Sequence, residues 1–278
     1  MSLPRLAVVK FASCDGCQLT LLDLEDELLA ITDRVEIVDF PEATSARSAG
    51  PYDLLLVEGS VSTPEQAEEI VELRRRTAKL VTIGACATAG GVQALRNVAD
   101  HDSWRASIYP EPAWVESLAT ATPIADHVTV DAELRGCPIA PGQLVEFLTA
   151  TLVGRRPQLP DEAVCLECKR AGRVCVVVAF GEACLGPVTR TGCGALCPAF
   201  ARGCYACFGP RESANVIGLQ RGLVADGMTA ADVDERFAGF TAMAPTFADQ
   251  ASRAAAAYRA GTVAQPTLDV VEVGHARR

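Results

Sequence analysis

The sequence predicts an α/β fold, with a doubly wound parallel sheet followed by an irregular region that also carries helices. Three observations point there. Short β-branched runs alternate with helix-period segments through the first 150 residues, the pattern of βαβ units. From Asp161 to Pro210 the alternation stops and Gly, Pro and Cys dominate. The twelve cysteines divide between the two parts, four spread through the first half and eight crowded into one stretch.

Taken in order, Arg5–Phe11 reads as a buried strand and Gln18–Ile31 as the helix that follows it. Val35–Phe40 and Asp53–Glu58 are the second and third strands. Thr63–Thr77 is a charged amphipathic helix, with Thr63 as N-cap and Pro64 at the first helical position, where its missing N–H costs nothing. Leu80–Ile83 is the fourth strand, His127–Val130 the fifth, and Pro141–Leu152 a helix. Arg155–Pro160 is predicted to be a linker, dividing a sheet domain (1–154) from a second domain (155–278). Val174–Phe180 is the one strand-like run in the cysteine-rich part. Thr229–Gly239, capped by Thr229, and Ala242–Gly261, with Pro245 tolerated near its start, read as helices, and Val263–Arg278 as a tail.

Composition narrows the function. The chain has 278 residues and 49% apolar content, and its mean hydropathy of +0.19 leaves room for a partner to cover apolar surface. A net charge of −10 without a basic stripe argues against nucleic acid as a partner. The apolar runs are strand length, so no membrane span is expected. No basic leader, apolar segment and cleavage site open the chain, so a cytoplasmic location is expected. In that reducing compartment cysteines favour metal or redox roles over disulfides.

Cys14 and Cys17 follow the first strand, Cys86 the fourth and Cys137 the fifth. All four are therefore predicted at the carboxyl end of the sheet, where open α/β sheets build their sites. Gly16, Gly84 and Gly136 would let backbone approach a bulky group there. Scattered core cysteines or a thioredoxin-like Cys-x-x-Cys pair are the alternatives, and the second leaves two strand-end cysteines unexplained. Twelve cysteines match three cubane iron–sulfur clusters of four thiolates each.

Ser13-Cys14-Asp15-Gly16-Cys17-Gln18, Val57-Glu58-Gly59-Ser60, Gly84-Ala85-Cys86-Ala87-Thr88-Ala89-Gly90-Gly91 and Gly136-Cys137-Pro138 together resemble the small subunit of [NiFe] hydrogenases. The resemblance implies a flavodoxin-like first domain, with Cys14, Cys17, Cys86 and Cys137 holding a proximal [4Fe-4S] cluster. The related complex I subunit uses two adjacent cysteines, and none are adjacent here. Gly16 stands where oxygen-tolerant membrane enzymes place an extra cysteine, which implies an ordinary cubane.

The remaining eight follow the spacing C-x2-C-x6-C-x8-C-x8-C-x3-C-x6-C-x2-C. Two structural zinc sites of four cysteines each, in an interaction module, are the bland reading. A bacterial two-cluster ferredoxin motif is not matched as a whole. The resemblance continues through Cys184-Leu185-Gly186-Pro187 and Cys204-x-x-Cys207. It implies Cys165, Cys168, Cys175 and Cys184 for a distal cluster and Cys193, Cys197, Cys204 and Cys207 for a medial one. Cys165 replaces a histidine, and Cys197 a proline, of the periplasmic uptake type, which implies three [4Fe-4S] clusters of low potential.

The resemblance thus implies the electron-transfer subunit of a cytoplasmic, NAD(P)-linked, sulfhydrogenase-like enzyme acting on H2. A large subunit would hold the Ni-Fe centre, and flavin/NAD(P)-binding and ferredoxin-like subunits would carry FAD and NAD(P). F420-linked or viologen-reducing hydrogenases are the nearest rivals. Neither a Walker loop nor a G-x-G-x-x-G is present, so nucleotide binding is expected elsewhere. Glu58 is either a proton relay or a strand-end carboxylate in a local hydrogen-bond network. Asp15 is expected to cap the first helix. Glu65, Glu68, Glu69 and Glu72 form a solvated helix face, Gly90-Gly91 a tight approach or a turn, and His101, His127 and His275 are not expected to ligate.

Overall fold

The computed structural model describes residues 2–260. Its centre is a five-stranded, all-parallel sheet in the order β2-β1-β3-β4-β5. The strands are β1 (Arg5–Lys10), β2 (Glu36–Asp39), β3 (Tyr52–Glu58), β4 (Thr77–Ile83) and β5 (Ala132–Leu134). Helices α1 (Gly16–Leu22) and α2 (Asp26–Thr32) follow β1, α3 (Pro64–Arg75) precedes β4, and α4 (Gly84–Ala89) leaves it directly. A short α5 (His101–Ile108) and α6 (Pro141–Leu152) flank β5 in sequence.

Alternate strand residues face opposite layers. Leu6, Val8, Leu54, Leu56, Val81 and Ile83 pack on Leu21, Ile31, Leu144, Phe147 and Leu148. Ala7, Leu55, Val57 and Leu80 pack on Ile70 and Leu73 from the other side. A strand buried on both faces reads as a continuous apolar run, which is why Asp53–Glu58 is legible. Thr63 caps α3 in a full capping box with Gln66, with Pro64 in the first turn.

Three expectations are corrected. The helix expected over Gln18–Ile31 breaks at Glu25, which holds φ 48°, yet Leu21, Leu24 and Ile31 still reach one core. The fifth strand is Ala132–Leu134 rather than His127–Val130. Asp131 Oδ2 takes the Leu80 N–H at 2.7 Å, so the ladder starts only at Val81–Ala132. Val128 and Val130 pack against the second face from outside the sheet.

Beyond Leu152, residues 153–163 contain no helix and no multi-residue strand. The cysteine-rich part carries α7 (Val164–Arg170), α8 (Val176–Phe180) and α9 (Leu196–Ala199). Val174–Phe180 is the third correction, because its core is one helical turn with Val178 87% exposed. Among the described residues no strand pairs with it, and β-propensity reflects packing more than backbone preference. Helices α10 (Val216–Ala225), α11 (Ala230–Phe237) and α12 (Ala248–Arg259) close the described chain. Thr229 caps α11 as expected, and Pro245 precedes α12. The tail from Val263 lies outside the described residues.

Candidate metal centres

The parallel register aligns Lys10 with Glu58, Glu58 with Ile83, and Ile83 with Leu134. Four strand ends therefore form one row, and Cys14, Cys17, Cys86 and Cys137 all follow it within a few residues. The Ala85 N–H donates to Gly136 O at 2.7 Å, tying two of these strand ends together. Cys17 and Cys86 are buried, Cys137 is half-buried and Cys14 is exposed. Burial pushes the Cys86 thiol up to about 11, and Cys137 and Cys14 reinforce that shift. Cys17 is raised by burial, then by Glu58, Cys86 and Cys137. Cys86 and Cys137 thus feel Cys14, and Cys17 feels Cys86 and Cys137.

Two glycines leave room for them. A Cβ on Gly84 would sit 2.4 Å from Cys17 Sγ, and one on Gly91 2.4 Å from Cys86 Sγ. Both have positive φ, 84° and 63°, which side chains rarely tolerate.

Glu58 is 2% exposed. Its Oε1 accepts the Cys17 N–H at 3.0 Å and its Oε2 the Gln18 N–H at 3.3 Å. Burial pushes this carboxyl up, and the two N–H donors act against that. Glu58 therefore caps α1 from β3. Asp15, expected to be the cap, adopts φ 67° and makes no cap bond. Its carboxylate instead pairs with Lys10 at 2.5 Å and accepts from Ser13 Oγ at 3.1 Å.

In the second part, Cys165 and Cys168 lie on α7, Cys175 precedes α8, and Cys184 is buried in the loop after it. A Cβ on Gly186 would be 3.3 Å from Cys184 Sγ and 3.5 Å from Cys165 Sγ, so one backbone position touches both. Burial and the neighbouring Cys184, Cys168 and Cys175 raise Cys165 to about 11. Cys193, Cys197, Cys204 and Cys207 line one cavity of about 390 Å³, with Cys137 of the first group on its wall. Burial, then Cys193 and Cys137, raise Cys207 to about 12.

The three groups form a series. Cys137 and Cys207 line the same cavity, which joins the first group to the cavity group. The Cys204 N–H donates to Cys184 Sγ at 3.2 Å, joining the cavity group to the third. Loops are braced around the cavity: Gln143 Nε2 donates to Thr191 O at 3.1 Å, and Arg135 Nη1 to Pro210 O at 3.1 Å. Among the described residues no three His, Cys, Asp or Glu side chains converge closely enough for a single metal ion. A cavity lined by Cys193, Cys197, Cys204 and Cys207, with Cys137 on its wall, has the size and the sulfur donors for a bulky sulfide cluster.

His101 pairs with Ser117 and His127 with Thr122, away from these sulfurs. His275 lies outside the described residues. The exposed row Glu65, Glu68, Glu69 and Glu72 is a solvated face as expected. Sequence reasoning missed α10, although Asn215 caps it on Gly218 N and Val216, Leu219 and Leu223 are spaced for one face. It also missed Glu167, whose contacts are long-range.

Residues 14–151 match the model of the NADH ubiquinone oxidoreductase 20 kDa subunit family. The sulfhydrogenase 2 subunit delta of Pyrococcus furiosus is 36% identical over 215 residues, covering 77% of this chain and 90% of that protein. The chain belongs to the [NiFe]-hydrogenase small-subunit family. It is therefore a subunit of an oxidoreductase that acts on H2. Another relative, from the F420-non-reducing hydrogenase vhu of Methanococcus voltae, is 29% identical over 75% of this chain and 83% of its own. A solved NAD+-reducing [NiFe]-hydrogenase chain aligns with TM-score 0.53 and 31% identity, covering 57% of this chain and 96% of that one. The [NiFeSe] hydrogenase of Desulfovibrio vulgaris Hildenborough, at TM-score 0.54 and 16% identity, shares the fold over 77% of this chain and 95% of its own. The family fold thus extends into the cysteine-rich part.

Proposed function

We propose that this small subunit relays electrons through three [4Fe-4S] clusters. Cys14, Cys17, Cys86 and Cys137 would hold the proximal one. Cys193, Cys197, Cys204 and Cys207 would hold the medial one, and Cys165, Cys168, Cys175 and Cys184 the distal one. The observation that carries this reading is the succession of sulfur groups, linked by the cavity that Cys137 shares with Cys207 and by the Cys204 N–H bond to Cys184 Sγ. When bound, the clusters supply one-electron transfer between a Ni-Fe centre in a large subunit and a flavin- or NAD(P)-handling partner. We divide the chain accordingly into a sheet unit (1–154) and a cluster unit (155–278), and we place it in the cytoplasm.

The chain's own residues position the thiolates. Glu58 holds the helix start that carries Cys17; two backbone donors on its carboxylate favour this role over a proton relay. Ala206 N–H donates to Cys204 Sγ at 3.4 Å, a bond that stabilises charge on that sulfur. Zinc is disfavoured by the spread of the thiols. A tetrahedral Zn–S site, with bonds of about 2.3 Å, needs sulfurs about 3.8 Å apart.

The relative at 36% identity supports the sulfhydrogenase type. The NAD-reducing HoxS subunit delta of Cupriavidus necator matches only 56% of this chain, so NAD(P) linkage rests on the proximal unit. The M. voltae relative favours a second reading, a hydrogenase that passes electrons to another carrier. Two measurements on the anaerobically purified complex decide. About twelve iron and as much acid-labile sulfide per chain are expected for three cubanes; zinc with negligible iron would end the proposal. Under H2, NAD(P)+ reduction supports the first acceptor class, and reduction of viologen without NAD(P)+ the second.

A further inference from the structure

We propose that Glu167 holds the medial cluster at low potential from within the distal cysteine motif. This rests on the three-cluster reading above. Glu167 stands between Cys165 and Cys168 on α7, but its carboxylate crosses to the loop entering α9. Its Oε1 accepts the Gly192 N–H at 2.9 Å, and its Oε2 accepts the Ala195 N–H at 3.1 Å. The same Oε2 lies 3.9 Å from Cys193 Sγ. Each carboxylate oxygen is thus tied to a different backbone donor, and the group cannot swing away from the sulfur.

With Cys193 as a thiolate ligand, two negative groups face each other across that gap. A cluster becomes more negative when it is reduced. A fixed carboxylate at its ligand therefore disfavours the reduced state and lowers the potential, most strongly where water is excluded. Other groups act in the opposite sense. Arg202 favours charge on Cys197, and Ala206 N–H favours it on Cys204. On the same helix α7, Lys169 favours charge on Cys165, while Glu167 also disfavours it on the adjacent Cys168.

The test uses the full hydrogenase complex carrying Glu167→Gln, Glu167→Asp or Lys169→Gln. Glutamine keeps one oxygen for a backbone N–H and removes the charge; aspartate keeps the charge. Iron and sulfide per chain are counted first, and the clusters are then titrated by potential-controlled EPR. In Glu167→Gln we expect unchanged iron and one reductive step moved to more positive potential, with Glu167→Asp returning it toward wild type. Lys169→Gln is expected to move a different step, to more negative potential. A Glu167→Gln titration that superimposes on wild type overturns the proposal. So does loss of about a third of the iron with the other steps unmoved, because Glu167 would then be a brace alone. So does movement of one and the same step by Glu167→Gln and Lys169→Gln. A wild-type complex without iron would instead sink the three-cluster reading, and the metal count separates the two failures.

Discussion

Replacing Glu58 tests how the proximal site is built. The carboxylate is 2% exposed and accepts the Cys17 and Gln18 N–H groups at 3.0 and 3.3 Å. Hydrogen bonds to a charged acceptor are worth about 1.5–3 kcal/mol each, and a buried donor left without a partner costs a further penalty of similar size. The longer bond to Gln18 counts toward the low end, since hydrogen bonds weaken with length. Glu58→Ala should therefore destabilise the sheet unit by about 3–5 kcal/mol, a factor of more than about a hundred in the unfolding equilibrium. Glu58→Gln retains one acceptor oxygen and should cost about 1–2 kcal/mol. Because Cys17 sits on the uncapped turn, the alanine variant should also lose about four of twelve iron per chain. Denaturant unfolding of the purified complex and an iron assay give both readings. An alanine variant within about 0.5 kcal/mol of wild type, with full iron, would refute the reasoning that this carboxylate organises the first turn of α1.

Gly84→Ala would put a Cβ 2.4 Å from Cys17 Sγ at φ 84°; iron analysis should show loss of the proximal share, with the other clusters kept. Asp234 is 8% exposed and accepts from Gln220 Nε2 and from Arg253 Nε and Nη2, each at 2.8 Å. Asp234→Ala should cost about 1–3 kcal/mol, discounted because Arg253 is half exposed, and thermal unfolding checks it. Glu146 grips Arg155 with both oxygens at 2.6 Å and accepts the Gln158 N–H at 2.7 Å. The Arg155 and Gln158 bonds lower its carboxyl to about 2. A lowered folded-state value stabilises above the unfolded value of about 4.3. That contribution disappears as pH falls toward 2, and Glu146→Gln should remove this part of the acid-unfolding slope.

The sheet was legible because its strands are buried on both faces and read as unbroken apolar runs. Thr63-Pro64 marked α3 through two local rules that agree. The fifth strand was misplaced because the pairing begins only at Asp131, whose N–H donates to Leu80 O while its side chain takes the Leu80 N–H. Val174–Phe180 misled because a β-branched run has no sheet to join. At the site, the cysteine positions along the strand ends followed from topology. The helix cap did not: local spacing favours Asp15, whereas the carboxylate used comes from Glu58, 41 residues from Cys17. Glu167 was invisible for the same reason, since its partners lie 25 and 28 residues away.

The cysteine-rich part poses a separate physical question, namely what holds it together. Its helices α7, α8 and α9 span seven, five and four residues. Isolated helices of that length are unstable in water, because nucleation outweighs the few bonds gained. Its small core joins Val164, Val176 and Ala195 to Cys184 and Cys204 themselves. Burial raises Cys165 to about 11 and Cys207 to about 12, so without a metal centre these thiols are protonated and neutral at pH 7. Cluster ligands must be thiolates, so loading releases protons and becomes more favourable as pH rises. If these cysteines hold clusters as proposed, folding this segment and filling it are coupled, because Cys184 and Cys204 are also side chains that close the core. The sheet, with its two apolar layers, needs no such support. On the three-cluster proposal, the short helices around Cys165–Cys207 would draw their order from the clusters together with the apolar core that Leu185, Val188 and Ala206 share with α10 and α11.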